Sequence, residues 1–189
     1  MFKKLCAVAF AILAMTATMA SAQCTIAAYG DAAGTQSYIQ PELDPNAGEN
    51  TFSFFIVMFA EDTANAAAYK MTLTGTDMFL QTRIAGPSGA GLTLDENPAS
   101  IGTNVALGEC VLGFSGTPIL IEEYVYAALE GGGNGTVELS QNTNQNLDFP
   151  EYVTCTSVQK DCAVGPTLVI DFVIPTDATS FGSIKSLYN

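Results

Sequence analysis

Nine consecutive residues, Phe52-Ser53-Phe54-Phe55-Ile56-Val57-Met58-Phe59-Ala60, constrain the fold of this chain more than any other stretch. The run is too short for a typical core helix, and it is dominated by aromatic and β-branched residues. With almost nothing polar to turn toward water, it reads as a central strand buried on both faces. Such a strand requires sheet neighbours on both edges and cover on both sides.

The remainder supplies those neighbours. Short apolar runs alternate with clusters of Gly, Pro, Asn, Asp and Ser, the punctuation of an all-β domain. Thr25 to Tyr29 opens as a strand and Gly30-Asp31-Ala32-Ala33-Gly34 turns it. Tyr69, Met71 and Leu73 share one side of a period-2 pattern while Lys70, Thr72 and Thr74 share the other, as in a half-buried strand that Gly75-Thr76-Asp77 ends. Further strands are predicted at Phe79 to Ile84, Cys110 to Phe114, Ile119 to Ala128, Thr136 to Ser140, Tyr152 to Thr156 and Thr167 to Ile174, with Gly131 to Gly135 as a loop. Glu61 to Ala68 is the one helix-like interlude, an Ala-rich turn that Asp62 could cap. The sum is an all-β, two-sheet antiparallel sandwich of about nine strands, immunoglobulin-like or jelly-roll in style, with a closed barrel as the alternative. Residues 23–175 form this single domain.

The first 22 residues have a different purpose. Lys3 and Lys4, an apolar run from Leu5 to Met19, and the small residues Ala20-Ser21-Ala22 make a secretory signal peptide cleaved before Gln23. No later segment reaches the roughly 20 apolar residues of a spanning helix, so the mature chain is expected to be secreted, periplasmic or extracellular, without a membrane span. Gln23 before Cys24 is too bulky for a lipid-attachment box. Cys6 leaves with the signal, and Cys24, Cys110, Cys155 and Cys162 remain as an even set in an oxidising compartment, predicting two disulfides. Three pairings are open. The short Cys155–Cys162 spacing suits a clipped hairpin, which would leave Cys24 with Cys110. Zinc is a poor competitor, since no CxxC pair and no histidine is present.

Composition removes several functions. The formal charge of −13 falls to −15 once Lys3 and Lys4 leave, and no basic cluster exists to hold phosphates, so nucleic acid is excluded as a partner. Without histidine, and without a GxSxG, HExxH or P-loop string, the common hydrolase and nucleotide chemistries lack their parts. Carboxylates remain. Glu122 and Glu123 sit inside an apolar strand, so one must point inward, where it needs a partner or a raised pKa. An edge strand with that glutamate at its rim is the expected setting. A sugar hydrolase would need a second carboxylate across a cleft, and broad aromatic platforms are scarce in a chain with no Trp. No cofactor is expected. Ca²⁺ is the one ion for which loop oxygens are available, at Glu61-Asp62 and Asp95-Glu96-Asn97, but neither stretch has EF-hand spacing. Asn134-Gly135-Thr136 matches a glycosylation sequon and is read as an ordinary turn, and the polar tract Gln141 to Asn146 as a solvated loop.

After Pro175 the pattern changes. Residues 176–189 form a polar spacer followed by Phe181, Ile184 and Leu187 three apart, enough for a short amphipathic turn that docks on the domain or on a partner. Ile26-Ala27-Ala28-Tyr29-Gly30-Asp31-Ala32-Ala33-Gly34-Thr35, Gly108-Glu109-Cys110-Val111 and Phe181-Gly182-Ser183-Ile184-Lys185-Ser186-Leu187-Tyr188 together resemble a group of uncharacterised secreted bacterial proteins. These close with an aromatic-Gly-x-Ile-Lys-x-Leu-Tyr tail after one cohesin-like β-sandwich. The resemblance implies an exported sandwich and carries no catalytic residues. Relatives often have a cysteine soon after the opening motif, where this chain has Gln36, so their disulfide pattern does not transfer. The expected function is non-enzymatic surface recognition of a protein or polysaccharide, as a binding or cell-envelope module. The alternative is a structural subunit that polymerises by strand addition or tail docking.

Overall fold

The computed structural model describes residues 24–44, 49–75, 77–94, 102–114, 116–129, 134–142 and 149–173. The expected signal peptide, the tail from 176, Asp95-Glu96-Asn97, Gly131 to Gly133 and most of the polar tract lie outside them. Among the described residues the chain forms thirteen strands and no helix, hence none long and apolar enough to cross a membrane. They are β1 (Cys24–Tyr29), β2 (Tyr38–Ile39), β3 (Asn50–Ala60), β4 (Thr63–Thr74), β5 (Met78–Ala85), β6 (Leu92–Thr93), β7 (Thr103–Leu112), β8 (Pro118–Ala128), β9 (Gly135–Ser140), β10 (Glu151–Val153), β11 (Gln159–Asp161), β12 (Ala163–Val164) and β13 (Leu168–Ile170).

One sheet runs β12-β1-β3-β8-β5. In the other, β4 is central, with β7 and then β6 on one edge, and β9 and β10 in succession on the other. β3 lies between β1 and β8, as its double-faced apolar pattern requires. Phe54, Ile56 and Met58 point into the sandwich against Tyr69, Met71, Leu107 and Leu168, all fully buried. Each such side chain contributes roughly 1.5–3 kcal/mol relative to exposure. Val57 faces the opposite way yet is also buried, in a small second cluster with Ala27 and Tyr29. The pairing is largely antiparallel, but β1–β12 and β13–β2 are parallel.

Two expectations are corrected. Glu61 to Ala68 holds no helical turn, because Ala66, Ala67 and Ala68 are hydrogen-bonded into β7 on one side and β10 on the other, and two ladders outweigh a weak local helix preference. The cysteines pair as Cys24–Cys162 and Cys110–Cys155. The expected hairpin exists, as β10–β11, but Cys155 sits in its turn and Cys162 follows its open end, where the Cys162 N–H donates to the Pro150 carbonyl. The two sulfurs are thus held at opposite ends. Cys24–Cys162 spans 138 residues of sequence and clamps β1 beside β12. Closing so long a loop stabilises by about 5 kcal/mol in the chain-entropy model. Peptide mapping of unreduced protein should recover these two cross-links and no alkylatable thiol, whereas a Cys155–Cys162 peptide would contradict the topology.

Candidate functional site

The inward glutamate is Glu122. β8 is no edge strand, since it is bonded to β3 and to β5, and Glu122 is 0% exposed, so the rim reading is overturned. Its carboxylate is compensated instead. Oε1 accepts from Arg83 Nε at 2.8 Å and from Thr93 Oγ1 at 2.8 Å, while Oε2 accepts from Arg83 Nη2 at 2.9 Å and the Tyr69 hydroxyl at 2.6 Å. Tyr69 oxygen lies 3.1 Å from the Tyr124 hydroxyl, and the Arg83 guanidinium stands 5.0 Å over the Tyr124 ring. Burial, reinforced by the neighbouring carboxylate, pushes both phenols far above the ordinary tyrosine value. Burial opposes the charge on Arg83, but the Glu122 hydrogen bonds outweigh it and hold the guanidinium protonated. Four donors occupy the carboxylate, leaving no lone pair aimed at an open cleft. The arrangement is that of a structural clamp rather than of an acid or base awaiting substrate.

What it clamps is the two-residue β6. Thr93 points inward to Glu122, so Leu92 and Leu94 on either side of it must point outward, each 58% exposed. Gly91 makes this course possible. A Cβ there would lie 2.6 Å from the carbonyl oxygens of Ala85 and Ala106, so only glycine lets β6 pass so close to both neighbours.

Register then builds a surface on the outer side of the second sheet. Leu92, Ala106, Ala66 and Val153 lie in one row across β6, β7, β4 and β10. In the next row Asn104, Ala68 and Glu151 continue from Leu94, whose N–H donates to the Asn104 carbonyl. Three alanines make a floor, Leu94 one wall, Val153 and Glu151 the other, around a cavity of about 110 Å³. Gln159 donates to the Glu151 carboxylate. The result is a shallow apolar socket with a projecting leucine pair at its side.

The other sequence candidates do not join it. Asp62 is engaged by Lys160 at 2.7 Å and by the Thr63 N–H at 2.7 Å, and among the described residues no three His, Cys, Asp or Glu side chains group to hold a metal ion. Asn134 accepts from the Phe172 N–H beside the start of β9. Glu123 faces outward on the first sheet. Sequence places Tyr69 only on the buried side of its strand and does not mark Arg83 or Thr93, although Arg83, the sole arginine, inside an apolar strand is a signal.

No protein-family profile matches the sequence, and no curated protein matches it. Solved structures do resemble the fold. One is from Clostridium thermocellum, described as Coh-OlpA-Doc918, a type I cohesin–dockerin complex; the match has 8% identity and a TM-score of 0.52, covering 80% of this chain and 99% of that one. Another is the cohesin module of a family 33 glycoside hydrolase from Clostridium perfringens, at 9% identity and a TM-score of 0.52, covering 81% and 100%. At these identities the likeness establishes a cohesin-like β-sandwich and nothing finer.

Proposed function

We propose that this chain is an exported, non-enzymatic recognition module that binds a protein through the outer face of its second sheet. The observation that carries the reading is the pair Leu92 and Leu94, held out beside an alanine floor by a buried clamp on their other side. Apolar side chains fixed against a small dip are what an interface centre uses, because little freedom is lost on binding and a partner's knob can be fully enclosed. Two disulfides fit an extracellular setting. The cohesin in the complex from Clostridium thermocellum binds a dockerin, and a protein partner for this chain is in keeping with that fold.

Strand addition is the competing reading, and β5, eight residues long, is the longer edge strand of the five-stranded sheet. That edge is interrupted by a bulge between Leu80 and Thr82 and carries the inward charge of Arg83, both of which discourage pairing with another chain. A polysaccharide hydrolase would need Glu122, which is saturated. Placing arginine at Leu94 tests the recognition reading. The native partner, co-purified with tagged wild-type protein and then titrated, should bind Leu94→Arg about two orders of magnitude more weakly, as burying a charge at an interface centre requires. A control, Phe79→Arg on the other sheet, should bind like wild type. Equal affinity for Leu94→Arg would overturn the reading.

A further inference from the structure

The outer side of the five-stranded sheet is apolar where a simple sandwich would be polar. Ile84, Glu123, Phe55 and Tyr29 stand side by side across β5, β8, β3 and β1. Thr82, Val125 and Ser53 form the row on one side, and Leu120, Val57 and Ala27 the row on the other. The chain already covers half of this face with its own backbone. The segment after β1, tied by Asp31 to Thr35 and Gln36, brings Gly34 so close that a Cβ there would stand 2.6 Å from the Phe59 ring. Beyond that loop the half toward β5 stays open, with Ile84 41% and Phe79 37% exposed.

We infer that residues 181–188 of the same chain cover this open half, with Phe181, Ile184 and Leu187 on Phe55, Val125 and Ile84, and Lys185 beside Glu123. Three observations select this occupant. Glu123 is the one charged side chain in those three rows, and Lys185 is the one basic residue after Lys160, so a single ion pair can form as the apolar rows close. The described chain ends beside the face: the Val173 N–H donates to the Pro41 carbonyl at 3.1 Å, and Pro41 lines a groove of about 400 Å³ that opens at Ser53 on the outer side of β3. The spacer is also long enough. Residues 174–180 extended reach roughly 25 Å, against roughly 20 Å across five strands. This covering is separate from the recognition surface, which lies on the opposite sheet.

A photo-crosslinking residue in place of Val125 in the full-length protein, mapped by mass spectrometry, tests the placement directly. The expected adduct joins position 125 to the peptide 181–188 within one molecule. In parallel, deletion of 176–189 should lower the melting temperature by roughly 5 °C and raise binding of an apolar dye. Glu123→Lys and Lys185→Glu should each lower it less, and the double exchange should recover most of the loss. Adducts joining isotopically light and heavy copies would assign the face to a second molecule. Adducts to another protein, or none to 181–188 together with an unchanged melting temperature on deletion, would likewise overturn the inference.

Discussion

Arg83→Ala is expected to destabilise the domain by about 3–5 kcal/mol, because it strands the Glu122 carboxylate inside the sandwich with its principal counter-charge gone. Against a total stability of about 5–15 kcal/mol for an ordinary domain, this leaves a marginal protein. The effect is one of an uncompensated charge, not of a strong bond. Arg83→Met combined with Glu122→Gln should therefore recover much of the loss, since the replacement pair removes both charges together. Denaturant unfolding of the two variants beside wild type measures it. A single alanine variant as stable as wild type would show that water or another cation compensates Glu122, and the clamp would lose its role. The same network reaches the surface through Thr93, so Thr93→Val should loosen β6 and weaken partner binding more than it lowers stability.

Ile56→Asp is expected to abolish folding altogether. Ile56 is fully buried on the internal strand β3 and stands directly opposite Glu122 in the register with β8. The new carboxylate would be desolvated and adjacent to a like charge whose donors are already taken, a cost of several kcal/mol with no partner to offset it. Circular dichroism should show no cooperative thermal transition. A soluble variant that melts cooperatively would mean that the centre of β3 is not the core.

Much of this architecture was legible in the sequence. The run Phe52 to Ala60 announced an internal strand, the alternation at Tyr69, Met71 and Leu73 announced its opposite layer, and the Glu122-Glu123 step announced one carboxylate per face. What was hidden has identifiable causes. Cysteine spacing does not say which end of a hairpin each residue occupies, so the pairing came out wrong. The alanines of β4 have no β-pattern of their own and are strands because β7 and β10 hold them. β2, β6 and β12 are two residues long, too short to carry a period. β6 is the most instructive, because Leu92-Thr93-Leu94 read by polarity would bury the leucines. The structure turns Thr93 inward, half-buried, where it donates to the Glu122 carboxylate, and the leucines are turned outward as a consequence. Outward leucines of this kind invert the pattern on which sequence reading depends, and only the partner of a buried charge reveals them.

The recognition role rests on that inversion, and one measurement addresses it most directly. A photo-crosslinking residue placed at position 94 in the full-length protein, activated in the native producer, reports what the leucine wall touches. The account predicts an intermolecular adduct with one protein species, abolished when Ala66→Glu fills the floor of the socket. Absence of any adduct from position 94, or an adduct indifferent to the filled floor, would contradict recognition through the second sheet.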